Sequence, residues 1–231
     1  MTTENVAVLF TDMVGSTALA SGLAPDAADE LRRGHFSILR QVMAESGGTE
    51  VKNLGDGLMV VFASTSAALS CAVGMQQGIE RDNRAREQPV GLRVGLSGGE
   101  VTREDDDYFG DPVIEAARLC AMCEGGQILA ADVVRAMAGR RSRHECRPVG
   151  ELALKGLPDP VATVEVAWEA LTLAPQSRFL RVWRFDPRWV SSGAMARQRR
   201  CGMRSSVSPP ASPNEIRTCT ATLTKERPRE A

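Results

Sequence analysis

No run of about 18 consecutive apolar residues occurs in this chain, and the opening Met1-Thr2-Thr3-Glu4-Asn5 has no basic-then-apolar pattern. Neither a membrane span nor a secretory signal is therefore expected, and the reading is a cytoplasmic protein without a membrane partner. No internal repeat is visible, so any two-fold symmetry has to come from a second chain. Six cysteines without a secretion signal favour free thiols over a disulfide framework. A zinc set can be imagined from Cys120, Cys123, His144 and Cys146, but Cys120 and Cys123 fall one turn apart in a helical pattern and read as packing.

The chain has 231 residues, 43% of them hydrophobic, enough for one good-sized domain plus an appendage. Its formal net charge of -1 hides an asymmetry: residues 1–171 hold 16 Lys+Arg against 25 Asp+Glu, residues 172–231 hold 12 against 4. The first stretch reads as the folded domain. From Ala174 onward no helical or strand period is sustained, and Pro, Ser and Arg dominate, so 172–231 reads as a basic, poorly ordered tail. Trp183, Phe185 and Trp189 interrupt it, and a nucleic-acid or partner contact through arginines and aromatics is the less favoured alternative.

Within 1–171 the pattern predicts a strand at 6–10, a helix over about 25–45, a hairpin at 49–62, a helix over about 64–84, a strand at 92–97 and a helix over about 110–122. Pro25 suits a first helical turn, and Leu31, Ile38, Leu39 and Val42 recur at helical spacing with His35, which reads as a packed histidine. The order βαββαβ is that of a ferredoxin-like unit. Strands near 127–130, 145–154 and 161–167 extend the sheet.

Two short segments suggest metal chemistry. In Phe10-Thr11-Asp12-Met13-Val14-Gly15-Ser16-Thr17, Asp12 is expected where the chain turns after an apolar strand. Gly-Ser-Thr then opens a helix whose unpaired N–H groups suit phosphate. In Val51-Lys52-Asn53-Leu54-Gly55-Asp56-Gly57, Asp56 sits at a hairpin tip, with Gly55 and Gly57 allowing the turn. Taken singly, each pattern is as readily a helix cap or an ordinary turn.

Further segments follow in order: Leu92-Arg93-Val94-Gly95, Asp107-Tyr108-Phe109-Gly110, Ala116-Ala117-Arg118-Leu119 and Leu154-Lys155-Gly156. From about Val6 to Trp168 this succession resembles the class III nucleotidyl cyclase catalytic domain, the adenylate and guanylate cyclase homology domain. The resemblance implies an α+β fold with a ferredoxin-like core, an extended antiparallel sheet and helices packed on it. It implies an adenylate cyclase in intracellular signalling that converts ATP to 3′,5′-cyclic AMP and pyrophosphate. Two Mg2+ or Mn2+ ions per site would be held by Asp12, Asp56 and the Met13 carbonyl, an all-oxygen set that favours these ions over zinc. Residues 14–17 would offer N–H groups to the triphosphate, and Lys52 and Asp107 would select the purine. Arg118 would stabilise transition-state charge, and Arg93 and Lys155 would bind phosphate. The sites would be shared in a homodimer, the metal aspartates coming from one chain and the Lys, Asp and Arg from the other.

One position departs from the family pattern. Four residues before Arg118, where the family carries an asparagine, stands Ile114, whose side chain forms no hydrogen bond. Losing one transition-state donor costs on the order of 10²–10³ in rate, so a slow enzyme is expected unless Glu115, a water or a partner substitutes. The alternative is a degenerate cyclase domain that binds nucleotide or a partner and acts as a regulator.

Overall fold

The computed structural model describes residues 1–16 and 22–171. Thr17 and the whole basic tail, with Trp183, Phe185 and Trp189, lie outside the described residues.

Strand β1 (Thr2–Val14) is followed by helix α1 (Pro25–Glu45), the hairpin β2 (Thr49–Asn53) and β3 (Leu58–Phe62), helix α2 (Thr65–Asn83) and strand β4 (Gly91–Glu104). These strands are ordered β2-β3-β1-β4 and pair antiparallel throughout, which is the expected ferredoxin-like unit. Then come β5 (Asp107–Phe109), helix α3 (Asp111–Met122), β6 (Ile128–Ala131), helix α4 (Asp132–Ala138), β7 (Cys146–Leu152) and β8 (Val161–Val166). Strand β6 joins β4 in parallel and the sheet continues through β8 to β7. The short helix α4 has no counterpart in the sequence reading.

Period-two patterning decides which face of the sheet each side chain serves. Ala7, Leu9, Leu58, Val60 and Phe62 point to one face, where Phe36 and Leu39 of α1 and Leu69, Ala72 and Met75 of α2 close the main core. Val6, Val8, Met59 and Val61 point to the other, against Ala116 of α3 and against Val101 and Tyr108. Pro25 opens α1, and the Ser64 hydroxyl caps α2 by accepting from the Ala67 N–H at 3.4 Å.

Glycine decides how α3 lies. A Cβ on Gly95 would meet the Cys120 nitrogen at 2.2 Å and the Ala116 carbonyl at 2.3 Å, so α3 rests directly on the β4 backbone. This explains the glycine of Leu92-Arg93-Val94-Gly95. Strand β5 pairs with Thr102–Glu104 at the far end of β4, beyond the stretch Val94–Leu96 that pairs with β6.

Two expectations are corrected. Asp12 is not in a turn beyond its strand: β4 continues as a partner as far as Gly91, so β1 runs on to Val14 and Asp12 lies within the ladder, opposite Arg93. Gly57 does not serve a left-handed backbone, as Gly55 does at φ 98°. A Cβ on Gly57 would stand 1.8 Å from the Thr11 carbonyl oxygen, so it is the close approach of the hairpin to β1 that requires glycine.

His35 is 2% exposed, and neither ring nitrogen has a hydrogen-bond partner. Burial, with Arg86 adding to it, lowers its pKa to about 4. An unfolded chain takes up this proton near the ordinary value of about 6.5 while the fold refuses it, so stability is complete above that pH and falls as pH drops toward 4. The span corresponds to about 3 kcal/mol at most. Urea unfolding between pH 7.5 and 4.5 should therefore show a stability loss that His35→Leu makes shallower; equal slopes for the two proteins would refute the assignment.

Candidate active site

Two separate groups of polar residues form on the sheet and its connecting loops. The first is built on the β1/β3 contact. The Met13 N–H donates to the Asp56 carbonyl at 3.1 Å, and the Leu58 N–H donates to the Thr11 hydroxyl at 2.9 Å. With Gly57 seated on the Thr11 carbonyl, these bonds lock the Asp56 turn against the strand that carries Asp12. Within the turn the Leu54 N–H donates to the Gly57 carbonyl and the Gly55 N–H to the Asn53 side chain, both at 2.8 Å.

Asp12 is half-buried. Burial raises its pKa and the neighbouring Asp56 carboxylate raises it further, while a hydrogen bond and ion pair from Arg93 pull it down. The Ser16 hydroxyl donates to the second carboxylate, Asp56 Oδ2, at 2.9 Å. Ser16 is helical, and residues 17–21, on which the expected helix start falls, lie outside the described residues. Arg93 keeps a buried Nε donor without an acceptor. Two partly desolvated carboxylates with one guanidinium between bulk water and the core form a donor set that a hard divalent cation suits, and an unspent Arg donor beside it suits an anion. A metal would fit these residues, with Asp12 and Asp56 able to offer carboxylate oxygen and Met13 a backbone carbonyl. Among the described residues no group of three or more His, Cys, Asp or Glu side chains is arranged to hold a metal ion.

The second group consists of two pairs, one between β2 and β5 and one between α3 and the loop before β8, and among the described residues no hydrogen bond or ion pair joins the two. Lys52 Nζ meets Asp107 Oδ2 at 2.6 Å, bridging β2 and β5 within one chain. Lys52 lowers the Asp107 pKa, and the Tyr108 N–H, which donates to Asp107 Oδ1 at 2.8 Å, acts in the same direction. Asp107 is thus an ionised acceptor held in a fixed orientation. Arg118 donates through Nε to the Lys155 carbonyl at 3.0 Å, and both side chains are exposed. Among the described residues no hydrogen bond or ion pair joins the Asp12, Asp56 and Arg93 group to the Lys52, Asp107, Arg118 and Lys155 group.

Ile114 is 39% exposed on α3, one turn before Arg118. Glu115 is not free to replace the missing asparagine: it accepts a short hydrogen bond from the fully buried Ser97 on β4. Cys120 and Cys123 donate to the Arg93 and Val94 carbonyls at 3.7 and 3.2 Å. Burial pushes these thiols up to about 12 and about 11, so they are protonated packing groups fastening α3 to β4.

Ser16, Thr11 and Gly57 were not singled out by sequence for what they do here. Each acts on a partner about 40 or more positions away along the chain, and no local pattern announces such a pairing.

Residues 1–167 match the adenylate and guanylate cyclase catalytic domain family. An uncharacterised protein of Mycobacterium tuberculosis is 34% identical over 157 residues, 68% of this chain and 40% of that protein. An adenylate cyclase of Mycosarcoma maydis is 33% identical over 160 residues, 58% of this chain and 6% of that one. The chain thus spans less than half the length of these relatives. Among solved structures, an adenylate/guanylate cyclase/hydrolase from Silicibacter pomeroyi superposes with a TM-score of 0.63 at 29% identity, over 74% of this chain and all of that one. The adenylyl cyclase CyaB from P. aeruginosa superposes with a TM-score of 0.64 at 25% identity, over 72% of this chain and 96% of that one. With the family matched across most of its length, this chain belongs to the class III adenylate and guanylate cyclase catalytic domains.

Proposed function

We propose that this domain is an adenylate cyclase that converts ATP to 3′,5′-cyclic AMP and pyrophosphate. The observation that carries the choice of nucleotide is the Lys52–Asp107 pair at 2.6 Å. Adenine offers an amino donor at position 6 and an acceptor at N1, which a carboxylate and an ammonium match; guanine reverses the pattern. The fixed, ionised Asp107 supports this reading because it can only accept.

Cyclisation requires the ribose 3′-hydroxyl to attack the α-phosphorus while pyrophosphate leaves. Magnesium or manganese bound by Asp12, Asp56 and the Met13 carbonyl would supply acidity to that hydroxyl and positive charge to the phosphates. Arg93, with its spare donor beside Asp12, and Lys155 would hold phosphate oxygens. Arg118 would meet the charge that builds in the transition state through its guanidinium fork. Because the two groups make no polar contact among the described residues, and the family commonly acts as a dimer, a head-to-tail two-fold homodimer would bring them together and compose two sites.

The alternative, a domain that binds nucleotide and regulates without turnover, draws on one observation: Ile114 offers no donor and Glu115 is engaged by Ser97. Product formation with Mn2+ and either ATP or GTP separates the readings. Cyclic AMP from ATP, lost in Asp12→Ala, is the expected result, with Ile114→Asn raising kcat by up to about 10². Nucleotide binding without product in the wild-type protein would favour the regulator. No gain from Ile114→Asn would show that this residue does not limit the rate.

Turnover should also depend on association, with specific activity falling on dilution below the dimer dissociation constant. A monomeric fraction as active as the dimer would overturn the shared site. Ser16→Ala should weaken Mn2+ binding about tenfold, as the loss of an outer-shell partner typically does, and Ser16→Thr should retain it. Titration calorimetry with Mn2+ alone reads this, and equal affinities would remove Ser16 from the site.

A further inference from the structure

Asp12 and Asp56 are each engaged by a donor of this same chain, and the two donors differ in kind. The Ser16 hydroxyl donates to Asp56 Oδ2 at 2.9 Å, whereas Arg93 Nη2 brings a full positive charge to Asp12 Oδ2. A neutral hydroxyl orients a carboxylate and leaves its charge available to a cation. A guanidinium neutralises that charge, so a divalent cation drawing on Asp12 has to compete with it. Arginine stays protonated across the working pH range, which keeps the competitor in place. The Asp12 and Arg93 side chains are only 24% and 31% exposed, so salt and water screen the pair less than they would at the surface.

The contact is one-armed. Nη2 reaches Asp12, while Nε is buried without an acceptor. A donor left unmet inside a fold is costly, and a guanidinium binds most strongly when two of its N–H groups meet one anion. Asp12 therefore balances the charge of Arg93 and leaves its fork half used. A phosphate group, with several oxygens on one centre, can engage both arms. The backbone of Arg93 is not free to follow such a ligand. It stands opposite Asp12 in the β1/β4 ladder, and its carbonyl accepts from Cys120 Sγ at 3.7 Å. Any exchange of partner is thus confined to the side chain.

We propose that Arg93 is an exchangeable counter-cation: a divalent cation entering at Asp12 and Asp56 displaces its guanidinium from Asp12, and the displaced guanidinium turns to the phosphate that accompanies the cation. This exchange rests on the metal-binding reading of Asp12 and Asp56 given above and adds to it a coupling between two ligands. A cation alone binds more weakly than the two carboxylates by themselves would permit. Cation and polyphosphate then strengthen each other's binding by the same factor, since such coupling is reciprocal.

Titration calorimetry of the full chain with Mn2+ alone tests the displacement. Arg93→Met should bind Mn2+ about tenfold more tightly than the wild-type protein, coupled sites typically differing by roughly 5- to 150-fold. Nuclear magnetic resonance reads the same event in the unaltered protein, and decides it should Arg93→Met fail to fold. The Arg93 Nε–H resonance, assigned by its absence from Arg93→Lys, should shift on saturation with Mg2+ and shift again when inorganic tripolyphosphate is added. Asp12→Asn should remove the response to Mg2+. Equal or weaker Mn2+ binding by folded Arg93→Met, or an Arg93 resonance indifferent to either addition, would overturn the exchange while leaving the metal site standing. Failure of both proteins to bind Mn2+ would overturn the exchange and the metal site together.

Discussion

Thirteen residues of β1 pair with thirteen of β4, from Thr2 opposite Arg103 to Val14 opposite Gly91, and much of the candidate site is set out from this one register. It sets Asp12 against Arg93. It leaves Val94–Leu96 free on the outer edge of β4 to recruit β6, and Thr102–Glu104 to recruit β5. It also presents Gly95 as a flat seat for α3. A slip of one residue would turn Asp12 into the core and Thr11 out of it, because side chains alternate along the ladder. Sheet pairing therefore fixes Asp12 and Arg93, and the hairpin turn and the loop before β8 then add Asp56 and Lys155.

The same register creates an electrostatic problem. A half-buried Asp12 beside a second carboxylate would rather keep its proton, and Arg93 is the compensation available within the chain. Carboxylates perturbed by burial and a like-charged neighbour cluster at functional sites. The backbone lock between Met13 and Asp56, reinforced by Gly57 and by Thr11, holds both carboxylates in place despite their repulsion. The rigidity belongs to backbone contacts and the side chains inherit it.

How much of this the sequence disclosed follows from what is local. The unbroken apolar runs Val6–Leu9 and Leu58–Phe62, the helical period of α1 and Pro25 in its first turn depend on neighbours a few positions apart, and the elements they predict are present. The end of β1 depended on how far β4 accompanies it, so Asp12 was expected in a turn and lies in a strand. Helix α4 escaped for a related reason: it is seven residues long and has no capping side chain, so it lacked both period and boundary. The Asp12 and Asp56 segments were visible as chemistry, but not the means by which they are held. Ser16 on Asp56 and Glu115 on Ser97 are long-range pairs of ordinary residues, which single-sequence patterns do not rank.

Ile114 has to be weighed against this background. At its place on α3 an apolar side chain loses a donor toward bound nucleotide but adds surface to a helix whose neighbouring β5 also exposes Phe109. In the shared-site arrangement proposed above, such surface would be covered by the second chain, and burying it would favour association by about 25 cal/mol per Å². The substitution then exchanges transition-state stabilisation for contact energy. Arg118 and the Lys52–Asp107 pair are untouched by that exchange, because Arg118 is steadied by the Lys155 carbonyl and Asp107 by the Tyr108 N–H. On the function proposed above, such a domain would keep the parts assigned to ATP recognition and lose speed first, which favours a slow cyclase over an inert one.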